Sequence, residues 1–111
     1  MIKVNILFAN LQQETRELRL DIPWKKNSSQ KDKLLYADGQ LNKGFRLFAD
    51  VSYLEGTPYY GFGFCGPSKL IQIMPNQWEE SEFFYDLGFF SSQKQGLIEV
   101  KKLLELFHLG D

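Results

Sequence analysis

The chain has 111 residues, a net charge of −1 and a single cysteine, Cys65. This length predicts one domain, and 43% apolar residues exclude an intrinsically disordered chain. One cysteine excludes an internal disulfide and any zinc site built from several cysteines.

Charge is distributed unevenly along the chain. Residues 1–49 carry nine Lys or Arg against five Asp or Glu, whereas residues 50–111 carry four against nine. This asymmetry predicts a molecule with a basic and an acidic region.

The first residues lack the basic and apolar segments of a secretory signal, and no apolar run is long enough to span a membrane. We therefore expect a cytoplasmic protein.

The first third of the chain predicts a hairpin followed by a loop. Apolar residues occupy every second position of residues 2–8, with Lys3, Asn5 and Leu7 between them, and residues 18–22 alternate apolar with polar side chains. These patterns predict two strands. Pro23 would end the second strand because proline has no N–H to donate. Residues 24–33 are mostly polar and predict an exposed loop, in which Trp24 and several lysines are the only nucleic-acid candidates. The near-neutral total charge argues against that function.

The centre of the chain predicts a β-meander. A short strand at residues 34–37 would end at the Asp38–Gly39 turn, and residues 40–44 would connect it to the next strand. Three strands are then predicted at residues 45–54, 59–65 and 69–74, separated by turns that contain glycine and proline.

Two helices are predicted after the meander. Asn76 would cap the first, which would include Trp78 and end at Gly88. Ser92 and Gln95 form a capping-box pattern for the second helix, which would end at Gly110. Its apolar residues at helical spacing are Leu97, Val100, Leu103, Leu104 and Phe107.

These elements predict a single α+β domain over residues 1–111. We expect an antiparallel sheet of about five or six strands with one or two helices packed on one face. The C-terminal helix is expected to be the main cover, because its apolar stripe would be unstable in water.

Three patterns with catalytic or ligand-binding potential have simpler interpretations. Residues 61–66 match G-x-G-x-x-G, but a strand rather than a helix is predicted to follow, which argues against a dinucleotide site. Cys65 and His108 are the only thiol–imidazole pair, without an evident third group to orient them. Glu79, Glu82 and Asp86 would share a helix face, but without the further ligands a metal site needs. We therefore expect no metal and no cofactor.

The most distinctive stretch combines acidic and aromatic residues. Between Gln77 and Phe90 four acidic side chains are interspersed with six aromatic ones. Aromatic anchors rimmed by charge are favoured at protein-binding surfaces, and an acidic rim selects a basic partner. The predicted partner-binding residues are Trp78, Glu79, Glu80, Glu82, Phe83, Tyr85 and Asp86.

The sequence therefore predicts a small protein-binding or inhibitor module for a basic protein partner, rather than an enzyme. A concrete form is an immunity protein that neutralises a basic toxin such as a nuclease. Two alternatives stay open: a small enzyme that uses Cys65 or the acidic residues, and a structural subunit of a homo-oligomer.

Overall fold

A computed structural model describes residues 3–27, 34–67 and 82–109 of the chain. Within these ranges it contains two α-helices and one antiparallel sheet. The elements are α1 (Val4–Glu17), β1 (Trp24–Lys26), β2 (Leu34–Gln40), β3 (Arg46–Leu54), β4 (Thr57–Pro67), β5 (Glu82–Phe90) and α2 (Gln93–Leu106).

The described strands form a five-stranded antiparallel meander in the order β1-β2-β3-β4-β5. Helix α1 packs against β1 and β2, helix α2 packs against β4 and β5, and the two helices contact each other. Both therefore lie on one face of the sheet. This arrangement confirms the predicted α+β fold with the C-terminal helix packed on the sheet.

The predicted N-terminal hairpin is wrong, because residues 4–17 form helix α1. Leu7, Leu11 and Thr15 are buried at intervals of four residues, which is the spacing of one helix face. The period-two alternation of residues 2–8 is too short to exclude this longer helical period. The chain then turns at Arg19, which has a positive φ of 58°, and residues 18–22 form no strand.

The loop predicted from Trp24 is also wrong at its start. Trp24 is buried in strand β1, and its indole Nε1–H donates to Thr15 Oγ1 at 2.9 Å. The rest of that predicted loop, residues 28–33, lies outside the described residues.

Strand β2 is confirmed at residues 34–37 but continues to Gln40. Asp38 and Gly39 pair with Phe48 and Leu47 of β3, so they lie within the strand and form no turn.

The two central strands of the meander are confirmed as β3 and β4. Glu55 and Gly56 connect them with φ angles of 52° and 82°, the positive values that a two-residue type I′ hairpin turn requires. The third predicted strand, residues 69–74, lies outside the described residues.

The helix predicted after Pro75 is wrong from Glu82 onward, where strand β5 pairs with β4 along its whole length. Aromatic side chains favour a pleated sheet surface, and this preference outweighs the acidic residues that indicated a helix start. Gly88, predicted as a helix stop, follows a β-bulge at Leu87 and has a φ of 94°. Asn76 and Trp78 lie outside the described residues.

Helix α2 is confirmed. Ser92 Oγ accepts a hydrogen bond from the Gln95 backbone N–H at 3.1 Å, as the capping pattern predicts. Leu97, Val100 and Leu104 are buried against the sheet. The helix ends at Leu106, before the predicted Gly110, which lies outside the described residues.

A buried polar bridge joins both helices to the sheet. The Tyr36 hydroxyl on β2 donates a hydrogen bond to Gln93 Oε1 on α2, and Gln93 Nε2 donates to Glu14 Oε1 on α1 at 2.7 Å. Burial raises the pKa of the Tyr36 phenol far above its usual range, so the hydroxyl stays protonated at neutral pH. Gln93 therefore fixes three elements through its side-chain amide.

We expect Gln93→Ala to lower the free energy of unfolding by about 1–3 kcal/mol, because it leaves the buried Tyr36 hydroxyl without its acceptor. Lys101→Ala is the control, since Lys101 is exposed on the same helix. Chemical denaturation of both variants measures the difference. Equal stabilities would contradict a bridge that stabilises the fold.

Candidate protein-binding face

The sheet has a covered face and an open face. Leu47, Ala49 and Val51 of β3 are buried on the side of the helices. Their neighbours Phe48 and Asp50 point to the opposite side, because successive side chains of a strand alternate. No helix among the described residues packs on that opposite side, which we call the open face.

Two glycines of β4 shape the open face. A Cβ atom at Gly61 would collide with the Asp50 carboxylate and would lie 2.7 Å from Phe89 Cε1. A Cβ atom at Gly63 would lie 3.1 Å from Phe84 Cζ. Both rings therefore lie across the backbone of β4, where a larger residue would exclude them.

The result is a depression of ≈ 260 Å³ on the open face. It is lined by residues from three adjacent strands: Phe48, Asp50, Gly63, Phe84, Asp86 and Phe89. Phe84 is 42% exposed and Phe89 is 49% exposed, although both are large apolar side chains. We name this depression with its six lining residues the acidic-aromatic site.

Two carboxylates are among the described residues of the acidic-aromatic site. Asp50 and Asp86 line it and no Lys or Arg of the described residues does. Asp86 Oδ1 accepts a hydrogen bond from the Gly88 backbone N–H at 2.8 Å, which fixes its carboxylate beside the bulge. At the margin of the site, the Arg46 guanidinium carbon lies 5.5 Å from the centre of the Phe48 ring. A cation–π contact therefore already forms on this face.

The structure separates the residues that the sequence analysis grouped on a helix. Tyr85 points toward α2, whereas Asp86 points to the open face, because they are neighbours in a strand. Glu82 and Phe83 lie in the same strand. Trp78, Glu79 and Glu80 lie outside the described residues. The role of all seven residues in partner binding stays a prediction.

Five of the six residues of the acidic-aromatic site were not among the predicted ones. They are Phe48, Asp50, Gly63, Phe84 and Phe89. The alternation of Phe84 with Asp86 at period two was visible in the sequence. The contribution of Phe48 and Asp50 depends on the register between β3, β4 and β5, which single-strand patterns do not contain.

Within the described residues, neither the thiol–imidazole pair nor a dinucleotide-binding turn assembles. Cys65 is buried. Its neighbour Phe64 points to the covered side, where the Phe64 ring stacks on the Phe107 ring. Because neighbouring side chains of a strand point to opposite faces, Cys65 points to the open face. His108 is exposed and follows α2 on the covered side. Residues 61–66 lie inside strand β4, with no helix opening there. No group of three or more His, Cys, Asp or Glu side chains within the described ranges is arranged to hold a metal ion.

Comparison with protein-family models, curated proteins and solved structures gave no match for this chain. Neither helix in the described part of the chain has the length and apolarity needed to cross a membrane.

Gly61→Ala tests the packing that forms the acidic-aromatic site. The added methyl group must displace Asp50 or Phe89, and we expect a loss of about 1–3 kcal/mol in the free energy of unfolding. Gly63→Ala is the matched comparison and should cost less, because its nearest atom lies farther away, in the Phe84 ring. Urea denaturation of both variants measures this order. A larger loss for Gly63→Ala would contradict the described geometry.

Proposed function

We propose that this chain is a protein-binding module whose open face binds cationic side chains of a basic protein partner. The observation that carries the proposal is the acidic-aromatic site, where two carboxylates and the exposed rings of Phe84 and Phe89 line one depression. The uneven charge of the chain supports a basic partner as well.

The chemistry of the site favours a Lys or Arg side chain. A cation over a ring face contributes about 0.5–1 kcal/mol at exposed positions and about 2 kcal/mol when water is excluded. The exposed Asp86 carboxylate adds Coulomb attraction and hydrogen-bond acceptors. An anionic ligand would meet like charge from both carboxylates, so the site selects against it.

The open face is large enough for a protein interface. The five strands have 3, 7, 9, 11 and 9 residues. With strands about 4.8 Å apart and about 3.4 Å per residue, they form a face of roughly 640 Å². A standard interface buries about 800 Å² on each partner. The face can therefore form most of a specific interface.

An inhibitor of a basic enzyme is the specific form of this function that we favour. A nuclease binds phosphates with Lys and Arg side chains, so its substrate cleft is positively charged. A negatively charged aromatic face would bind the same side chains and exclude the nucleic acid. An immunity protein for a nuclease toxin is such an inhibitor.

Binding of short peptides tests the proposal. The probes are a glycine-flanked tri-arginine peptide and the matching tri-glutamate peptide, titrated into ¹⁵N-labelled protein. We expect amide shifts around Phe84, Asp86 and Phe89 with the arginine peptide alone. The double variant Asp86→Asn/Phe89→Leu should weaken that binding about fivefold to tenfold, because it removes one charge and one ring.

The Asp86→Asn change keeps a side-chain oxygen for the Gly88 N–H, so the double variant should retain the fold. Glu105→Gln is the control, since it removes one negative charge from an exposed position of α2. Unchanged affinity in the double variant, or equal binding of the glutamate peptide, would contradict the proposed function.

A further inference from the structure

Half of the described lining of the acidic-aromatic site consists of phenylalanine rings. They belong to Phe48 on β3 and to Phe84 and Phe89 on β5. The Phe48 ring is already in contact with a cation, because the Arg46 guanidinium carbon lies 5.5 Å from its centre. Phe84 and Phe89 are large apolar side chains with 42% and 49% of their surface exposed. Their two rings are therefore the ones that can receive a cation from a partner.

The backbone of β4 sets the spacing of these two rings. The Phe84 ring lies against Gly63 and the Phe89 ring lies against Gly61, with 3.1 Å and 2.7 Å from a ring carbon to a Cβ atom built at each glycine. Residues two apart in a strand are separated by about 6.8 Å. A group midway between the two contact points is therefore about 3.4 Å from each, inside the roughly 6 Å over which a ring attracts a cation.

The described residues offer few hydrogen-bond acceptors to a cation in this position. Asp86 is the exposed carboxylate of the site, and its Oδ1 already accepts the Gly88 N–H at 2.8 Å. Asp50 is half-buried against Gly61 and already has an interaction within the protein. The backbone of Gly63 is paired with both neighbouring strands.

This combination of rings and few acceptors favours a cation without N–H donors. A lysine ammonium has three N–H donors and an arginine guanidinium has five. Each donor that loses water on binding and finds no acceptor weakens the complex. A trimethylammonium group has no such donor, and aromatic sites bind quaternary ammonium ions through the ring faces.

We propose that the acidic-aromatic site binds a trimethylated lysine side chain of the basic partner in preference to unmodified lysine. The rings of Phe84 and Phe89 contact the methylated ammonium group, and the Asp86 carboxylate attracts its charge. Methylation keeps the positive charge of lysine, so the partner remains basic. This inference rests on the proposed function, and it adds the chemical form of the side chain that is recognised.

Three peptides that differ at one position test this preference on the unsubstituted protein. Each has glycine flanks, and the central residue is lysine, trimethyl-lysine or the neutral analogue in which carbon replaces the quaternary nitrogen. The neutral analogue has the shape of trimethyl-lysine without its charge. Titration into ¹⁵N-labelled protein gives each Kd, and the N-methyl proton shifts report contact with a ring face. The tri-arginine peptide is titrated in parallel, so that the proposed function is tested separately.

We expect the trimethyl-lysine peptide to bind at least about fivefold tighter than the other two, with its N-methyl protons shifted upfield. Phe84→Leu and Phe89→Leu should each weaken this binding about twofold to fivefold, because leucine keeps an apolar surface but has no ring face. Leu54→Ala is the control and should leave the affinity unchanged, since Leu54 is an exposed apolar residue at the end of β3, outside the site.

Three results would overturn this inference. If the lysine peptide binds as tightly as the trimethyl-lysine peptide and the tri-arginine peptide also binds, selection for methylation is wrong while the proposed function stands. If the neutral analogue binds as tightly as trimethyl-lysine, the site recognises apolar shape and the ring faces attract no cation. If neither the trimethyl-lysine peptide nor the tri-arginine peptide binds, the proposed function fails together with this inference.

Discussion

The hydrogen bonds of Gln93 connect the three parts of this structure. Its amide accepts from Tyr36 on β2 and donates to Glu14 on α1, while its backbone begins α2. Buried polar groups that are fully satisfied favour one packing arrangement over its alternatives, because any other arrangement leaves them without partners. The bridge therefore holds both helices on the same face of the sheet. Among the described residues, the opposite face therefore has no helix packed on it.

The open face differs from an ordinary solvated sheet face. Gly61 and Gly63 remove two side chains from its centre, and the Phe89 and Phe84 rings occupy the space above them. The same glycines make β4 a poor strand by propensity alone, since glycine has no side chain to pack. Pairing with β3 and β5 on both sides compensates for this weakness. The large rings of Phe84 and Phe89 on β5 are thus exposed beside the backbone of β4.

The sequence predicts the parts of the fold in which one local pattern dominates. Helix α2 has a cap at Ser92 and an apolar period of 3.6, and strands β3 and β4 alternate around a glycine turn. Helix α1 was missed because the short period-two alternation of residues 2–8 obscured the helical spacing of the buried residues that follow it. Strand β5 was missed because acidic residues before an aromatic run resemble a helix start. Only part of the acidic-aromatic site could be predicted from the sequence. Phe48 and Asp50 line the same site as Asp86 because of the register between neighbouring strands, which the sequence of one strand does not contain.

The central claim is that the open face presents the Phe84 and Phe89 rings to solvent while the helices cover the opposite face. Paramagnetic relaxation of the phenylalanine ring protons by a soluble gadolinium chelate measures this directly. The account predicts strong relaxation of the Phe84 and Phe89 rings, and little effect on Phe62 and Phe64, which are buried beneath the helices. Equal protection of all four rings would contradict it, because the open face would then be covered.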